Sequence, residues 1–333
     1  MFNNESEVKY NPVPQTECKV SKTSFGASVI TVTYNSVDEL PAFIESFAQQ
    51  KINYELHIVD NASTDETSDM LKKYSHEDSR IKIILNDENV GLAAANNQPI
   101  KNLKYDYVVM CNPDVILHDN TLLVLAKYLE NHQEVVAVGP VNLDENGNAH
   151  SSFHRSWSLL HLAVWRILPT FLSQLIYKRI RNYDEQNVLF ASGSCLMIRR
   201  DDYQKIKGYD PEYFLTVEDV CDLCIRLCSL KKESVVRVIP DTKITHLGWR
   251  SGASAHLICL WHSARGSIYH FFKHNGLLSG LVATFIVLLA TSMRLSIALL
   301  AFPFSNKHRH AARNQAIVLV RIIFNNPILN RSK

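Results

Sequence analysis

Residues 27–34, ASVITVTY, form a β-branched run with strand character, and VDELPAFIESFAQQ (37–50) follows it with helical spacing. The same alternation continues along the chain. YELHIVD (54–60) and RIKIILN (80–86) are predicted strands, each followed by a helical stretch, ETSDMLKKYSH (66–76) and GLAAANNQPIKNL (91–103). YDYVVMC (105–111) is a fourth strand. Short apolar strands alternating with amphipathic helices predict an α/β fold, Rossmann-like, with a mainly parallel sheet flanked by helices. In such sheets ligands gather outside the carboxyl ends of the strands.

Those ends are unusually polar. The first strand runs into Thr33-Tyr34-Asn35, and the second into Asp60-Asn61-Ala62-Ser63-Thr64-Asp65. The third runs into Asn86-Asp87-Glu88-Asn89-Val90-Gly91, and the fourth into Asn112-Pro113-Asp114. Asn, Asp and Ser are common in turns and at helix N-caps, so each cluster alone has a structural explanation. Four of them converging on one sheet edge predict a polar ligand site.

Composition narrows the class. The chain has 333 residues, 46% hydrophobic and 20% charged, with a net charge of +2. That is enough material for a large buried core, and it excludes collagen-like, disordered and disulfide-scaffold proteins. A near-neutral balance argues against a nucleic-acid binder. The seven cysteines are an odd number, several within apolar runs, and read as reduced thiols. Cys221, Cys224 and Cys228 fall on one helix stripe and are expected to pack as small apolar side chains. Residues 1–26 read as a polar, flexible lead-in without the apolar run of a secretory signal. A Rossmann dehydrogenase is disfavoured because no GxGxxG follows the first strand. A non-catalytic nucleotide-binding module and an inactive assembly scaffold remain as rival readings.

Taken in order, VTYNS, VDNASTD, NVGLAAANN, NPDV, ASGSCLMIRR and FLTVEDVCDLCIRL resemble family 2 glycosyltransferases of the GT-A fold. Among these the chain is most similar to bacterial rhamnosyltransferase-type enzymes of O-antigen and cell-wall polysaccharide assembly. The resemblance runs from about Ala27 to about Gly276, and it implies a catalytic domain over 27–250 and a helical C-terminal region over 251–333. It further implies an inverting transfer from a nucleotide-sugar donor to a glycan or lipid-linked oligosaccharide. dTDP-L-rhamnose is the leading donor and UDP-sugars are the alternative. Asp60 occupies the place of the family's base-reading aspartate, with Thr33 and Asn35 lining the base and ribose pocket. Asn61, Asn89, Gly91 and Asn112 complete the expected donor site. Asn-Pro-Asp at 112–114 stands where the family carries an Asp-x-Asp motif for Mg²⁺ or Mn²⁺. Asp114 is then the charged metal ligand, and His246 its companion near the diphosphate. Arg265 and Lys273 resemble the family's basic residues that neutralise the departing diphosphate.

The resemblance assigns Glu218-Asp219 as the catalytic pair, with Asp219 the general base and Glu218 its positioning partner. The family pattern, Glu-Asp-x-Asp-x-Cys-x-Arg, is here Glu-Asp-Val-Cys-Asp-Leu-Cys-Ile-Arg, with one extra residue before Asp222. One residue turns an α-helix by about 100°, so either the helix starts later or a π-bulge absorbs the insertion, and Asp222 is the alternative base.

From Asn275 to Met293 no residue is charged, and 19 residues at 1.5 Å each reach about 28 Å, close to a bilayer core. Lys273 and His274 precede this block, and Lys307, Arg309 and Arg313 follow it. Basic residues on both sides put both ends on the cytoplasmic side, which predicts a re-entrant or interfacial hairpin and not a single span. The expected location is the cytoplasmic face of the bacterial inner membrane. Burial against the catalytic domain is the alternative. A Trp-, Leu- and Arg-rich stretch, 156–182, is read as a further interfacial helix near the acceptor.

Overall fold

The computed structural model describes residues 25–149, 153–154, 156–168, 172, 186–248, 256–300 and 306–324. The lead-in through residue 24, the 250/251 boundary and most of 169–182 lie outside the described residues.

The alternation read from the sequence is present. Strands β1 (Gly26–Thr33), β2 (Asn53–Asp60), β3 (Ile81–Leu85) and β4 (Tyr107–Cys111) are separated by α1 (Leu40–Glu45), α2 (Thr67–Glu77) and α3 (Leu92–Asn97). After them come β5 (Val115–Leu117), α4 (Thr121–Asn131), β6 (Val135–Leu143), β7 (Phe153–His154) and α5 (Leu159–Ile167). Next are β8 (Gln186–Val188), β9 (Phe190–Ala191), β10 (Cys195–Arg199), α6 (Arg200–Lys205), α7 (Glu218–Cys228) and β11 (Val235–His246). The chain closes with α8 (His256–Leu300) and α9 (Asn306–Phe324).

The main sheet has the order β3-β2-β1-β4-β10-β6-β11-β5, with β8 paired to β11. The half built from β1 to β4 is parallel throughout. β10 runs antiparallel between β4 and β6, so β6, with β11 parallel to it, points the same way as the first four strands. β5 and β8 are the other reversed strands. The architecture is a mainly parallel sheet flanked by helices, with a long apolar helix at the C-terminus.

Alternate residues of the central strands feed two cores. Val29, Val109 and Met197 join Leu40, Phe43, Leu71 and Leu125 of α1, α2 and α4 on one face. Ile30, Val108 and Ile198 join Ala93 of α3 and Leu223, Cys224 and Leu227 of α7 on the other. Cys221 and Cys224 are fully buried there, as expected of apolar side chains, and no group of three metal-binding side chains occurs among the described residues. Register delivers the site residues. Thr33 pairs with Asp60, which pairs with Leu85, and Cys111 pairs with Cys195, so Asn112 lies beside Ser194 and its N–H donates to the Ser194 carbonyl at 2.9 Å.

A third cluster joins Leu162 of α5, Ala264, Ile268, Phe271, Ala283 and Val287 of α8, and Val318 and Ile322 of α9. α8 is broken at Gly276, where φ is +82°, a conformation that favours glycine. The arm after the break packs Ala283, Ile286, Val287 and Ala290 inward. Its opposite stripe, Leu278, Leu281, Phe285, Leu289, Met293, Ile297 and Leu300, is exposed. α9 returns along α8, with Arg321 over the ring of Trp261 at 5.8 Å. α8 and α9 therefore form a helical hairpin with one apolar face uncovered.

Candidate active site

Two connected cavities open where β1, β2 and β4 end. The smaller, about 150 Å³, is lined by Thr33, Tyr34, Asn61, Asn89, Asn112 and Asp114, and closed by Phe214, Leu215 and Ile258. The larger, about 520 Å³, shares Val32, Leu92, Asn112, Leu215 and Cys259 with it. It extends past Ser192, Gly193, Ser194, His246 and Asp219 to Phe153, His154, Trp165 and Phe190.

The polar clusters converge as expected, though their members divide the work. Asn61 is the hub of the smaller cavity. Its side-chain N–H₂ donates to Asn89 Oδ1 at 2.8 Å, and its Oδ1 accepts from Asn86 Nδ2 and the Val90 amide, both at 3.1 Å. Gly91 lines neither cavity. Its φ is +86°, and a Cβ there would lie 2.6 Å from the Phe214 ring, so this glycine lets the Phe214 wall approach α3. Asp60 is also set back from both cavities. Its carboxylate accepts from the hydroxyls of Thr33 (3.0 Å), Ser63 (2.5 Å) and Ser68 (2.8 Å) and from the Ser63 amide (3.2 Å). Asn35 likewise ties this turn, donating its N–H to Ser63 Oγ at 2.9 Å and accepting the Thr64 amide at 2.8 Å. Thr33 and Asn61 line the smaller cavity, while Asp60 and Asn35 hold the turn after β2 beside it.

Asp114 and His246, 132 positions apart, do meet: His246 Nε2 is 3.3 Å from Asp114 Oδ1. β5 and β11 bring them together by antiparallel pairing, His246 opposite Val115. One carboxylate, one imidazole and the Asn112 amide are a donor set that fits Mg²⁺ or Mn²⁺ when phosphate oxygens complete the shell.

Arg265 and Lys273 are not brought to this place. Arg265 donates to the Glu212 carbonyl and pairs with its carboxylate at 2.5 Å. Lys273 is held between Asp210 Oδ2 at 2.6 Å and Asp222 Oδ1 at 2.5 Å. Acidic neighbours engage both cations, and no lysine or arginine lines either cavity among the described residues.

α7 is an uninterrupted α-helix from Glu218, so neither a later start nor a π-bulge absorbs the extra residue. The insertion leaves Asp222 three positions after Asp219, about 60° round the helix from it, where it meets different partners. Asp222 is fully buried and accepts from Arg226 Nε at 2.7 Å, His274 Nε2 at 2.7 Å and Lys273 Nζ. These partners outweigh burial and hold its carboxyl far below the usual range. Asp219 is the opposite case. It lines the larger cavity, and its Oδ1 accepts the Val220 amide, but its buried Oδ2 has no partner. Burial, reinforced by the charge of Glu218, pushes it up to about 7. A carboxylate with that proton affinity and an unpartnered oxygen, on a residue that lines a cavity, can take a proton from a hydroxyl near neutral pH. Glu218 points the other way, accepting from Ser267 Oγ at 2.5 Å. Ser267 also accepts from the buried guanidinium of Arg166 at 2.8 Å.

Trp165, in the stretch expected near the acceptor, does line the larger cavity, but Phe153, His154 and Phe190 of its aromatic wall and Cys259 and Ser263 of α8 carry no local signal in the sequence. Phe153 and His154 pair with Ala191 and Phe190 in a separate two-stranded sheet, and no local pattern announces that pairing.

Together the parallel half-sheet, the reversed β10 and the flanking helices define the GT-A fold. The chain belongs to Glycosyl transferase family 2, whose sequence profile matches residues 28–207. It is a glycosyltransferase. It is 27% identical over 236 residues to an N-acetylglucosaminyl-diphospho-decaprenol L-rhamnosyltransferase of Mycobacterium tuberculosis, covering 66% of this chain and 75% of that one. It is 23% identical over 206 residues to the rhamnosyltransferase WbbL of Escherichia coli K12, covering 60% and 75%. Among solved structures, GalNAc-T7 with UDP, GalNAc and Mn²⁺ aligns with a TM-score of 0.56 at 15% identity, over 78% of this chain and 51% of that one. The mannosyltransferase PcManGT of Pyrobaculum calidifontis, with GDP-Man and Mn²⁺, aligns with a TM-score of 0.54 at 16% identity, over 90% and 87%. These two likenesses establish the fold.

Proposed function

We propose that the protein transfers L-rhamnose from dTDP-L-rhamnose to a lipid-linked glycan, with inversion, using Asp219 as general base. The observation that carries this reading is Asp219 itself: a buried carboxylate whose proton affinity burial raises to about 7, with an unpartnered Oδ2, on a residue that lines the same cavity as Asn112 and His246. The nucleotide would lie along Thr33, Asn61 and Asn89, with its diphosphate toward Asn112, Asp114 and His246. A divalent cation bound there would offset the charge that builds on the departing diphosphate. The acceptor hydroxyl would approach through the larger cavity, opposite the leaving group, and give its proton to Asp219. One displacement with one base inverts the anomeric centre and yields an α-L-rhamnoside from the β-linked donor. The sugar is supported by the names of the two rhamnosyltransferase relatives, and the lipid-linked acceptor by the decaprenol relative.

Thermal unfolding in the presence of dTDP, UDP and GDP tests the donor class. dTDP is expected to protect, UDP less so, and GDP least. Asp60→Ala should weaken nucleotide binding roughly tenfold, because losing a buried acceptor costs about 1–3 kcal/mol, frees the turn that carries Asn61 and releases the Thr33 hydroxyl. Tight GDP binding with no dTDP effect would overturn the donor assignment.

We also propose that the apolar face of the α8–α9 hairpin lies on the cytoplasmic leaflet without crossing it. Leu278 is 77% and Phe285 65% exposed on this stripe, and basic residues stand at both ends of the block. The double variant Leu278→Glu/Phe285→Glu should lose at least tenfold in flotation with phosphatidylglycerol-containing vesicles. Undiminished flotation would exclude this face.

A further inference from the structure

We infer that the first arm of α8 is the positioning element of the catalytic base: Ser267 and the Lys273-His274 pair grip Glu218 and Asp222 and thereby set where Asp219 stands over the cavity. The inference rests on the reading of Asp219 as base. Glu218 and Asp222 are four residues apart, one turn of α7, so they share a stripe, while Asp219 is turned about 100° from Glu218 toward the cavity. On α8, Ser267 and His274 are seven residues apart and share a stripe as well. The two stripes meet in two rungs. Ser267 Oγ donates to Glu218 Oε1 at 2.5 Å; His274 Nε2 and Lys273 Nζ reach Asp222 Oδ1 at 2.7 and 2.5 Å.

The same arm grips the loop that leads into α7. Tyr269 donates its hydroxyl to Asp210 Oδ2 at 2.9 Å, Lys273 reaches the same oxygen, and Arg265 pairs with Glu212. Thr216 packs so close to Gly266 that a Cβ there would fall 2.5 Å from the Thr216 methyl. Four ties on this stretch of chain, at Asp210, Glu212, Glu218 and Asp222, therefore originate on one helix, and these ties flank Asp219.

A buried charge cluster is a poor way to add stability, because desolvation cancels most of the attraction. What it imposes is geometry: Asp222 must meet Lys273 and His274 of α8 at once, and that ties the rotation of α7 to α8. Misplacing a reacting group by even about 1 Å costs up to 10²-fold in rate. Lys273 and Asp222, which the sequence suggests as diphosphate ligand and alternative base, thus act as positioning residues.

The test uses the full chain with dTDP-L-rhamnose as donor and N-acetylglucosaminyl-diphospho-decaprenol as acceptor. Ser267→Ala and Asp222→Asn are each expected to lower kcat about tenfold. Both KM values should stay within about twofold, and thermal unfolding of Ser267→Ala should shift by only a few degrees. Unchanged kcat in Ser267→Ala, or a kcat loss no larger than the loss of folded protein, would overturn the inference. Ser267→Ala removes one hydroxyl and decides the matter if Asp222→Asn does not fold. Asp219→Asn in the same assay separates the two readings. Turnover by Asp219→Asn removes the base assignment itself, whereas a silent Asp219→Asn beside fully active Ser267→Ala removes only the positioning role.

Discussion

Asp219→Asn is expected to lower turnover about 10²–10⁴-fold while nucleotide binding stays close to that of the native chain. The amide keeps the shape of the side chain, and its oxygen still accepts the Val220 amide, but it cannot take a proton from the acceptor hydroxyl. Asp219 titrates at about 7, so the native enzyme should lose activity as pH falls through that value. The linkage to stability has a definite sign. A carboxyl raised from 3.8 to about 7 binds its proton more tightly in the folded state, so its contribution to stability is full below about pH 4 and is lost as pH rises through 7. Asp219→Asn should therefore unfold at a higher temperature than the native chain at pH 8, with a smaller difference at pH 5. A loss of turnover without that crossover would separate the catalytic role from the buried-charge argument. Near-native turnover would overturn the catalytic role.

Asp114→Ala should cost at least about 10²-fold in turnover, and a chelator should suppress the native enzyme to a similar level until Mg²⁺ or Mn²⁺ is restored. Two features of the site motivate this expectation. Arg265 and Lys273 are committed to Glu212, Asp210 and Asp222, and the cavity that would hold the diphosphate offers one carboxylate and one imidazole 3.3 Å apart. Asn112→Asp should tighten the apparent Mn²⁺ affinity, since it adds a second carboxylate to the set. Mn²⁺ binding can be followed by magnetic resonance of the ion, with and without nucleoside diphosphate, independently of turnover. Full activity in chelator would show that the diphosphate departs without a metal.

Much of the catalytic domain is legible in the sequence because its signals are local. A β-branched run such as ASVITVTY alternates at the period of a strand, and the next fourteen residues carry the period of a helix, so β1 through β4 appear at nearly their observed bounds. The polar residues at the strand ends stand out for the same reason, and parallel topology alone gathers them at one edge. The juxtaposition of Glu218 and Asp219 is a property of the chain. So is the apolar block after Asn275, whose exposed stripe is the consequence of a helix with more apolar residues than one packed face can cover.

Which partner each charge finds is not local. Lys273 and Asp222 are 51 residues apart, Arg166 and Ser267 101, and nothing in either neighbourhood specifies the other. Sequence supplied Arg265 and Lys273 as cations near the end of the catalytic region. The packing of α8 against α7 assigned them to carboxylates of the base helix and its approach loop. Two aspartates three residues apart received opposite fates for the same reason. α8 presents a lysine and a histidine to Asp222, whereas Asp219 is buried with no cation beside it among the described residues, so the first is held well below the usual carboxylate range and the second is pushed up to about 7. Proton affinity depends on burial and on the charges within a few ångströms, and those are set by which helices touch, a quantity that only the folded chain defines.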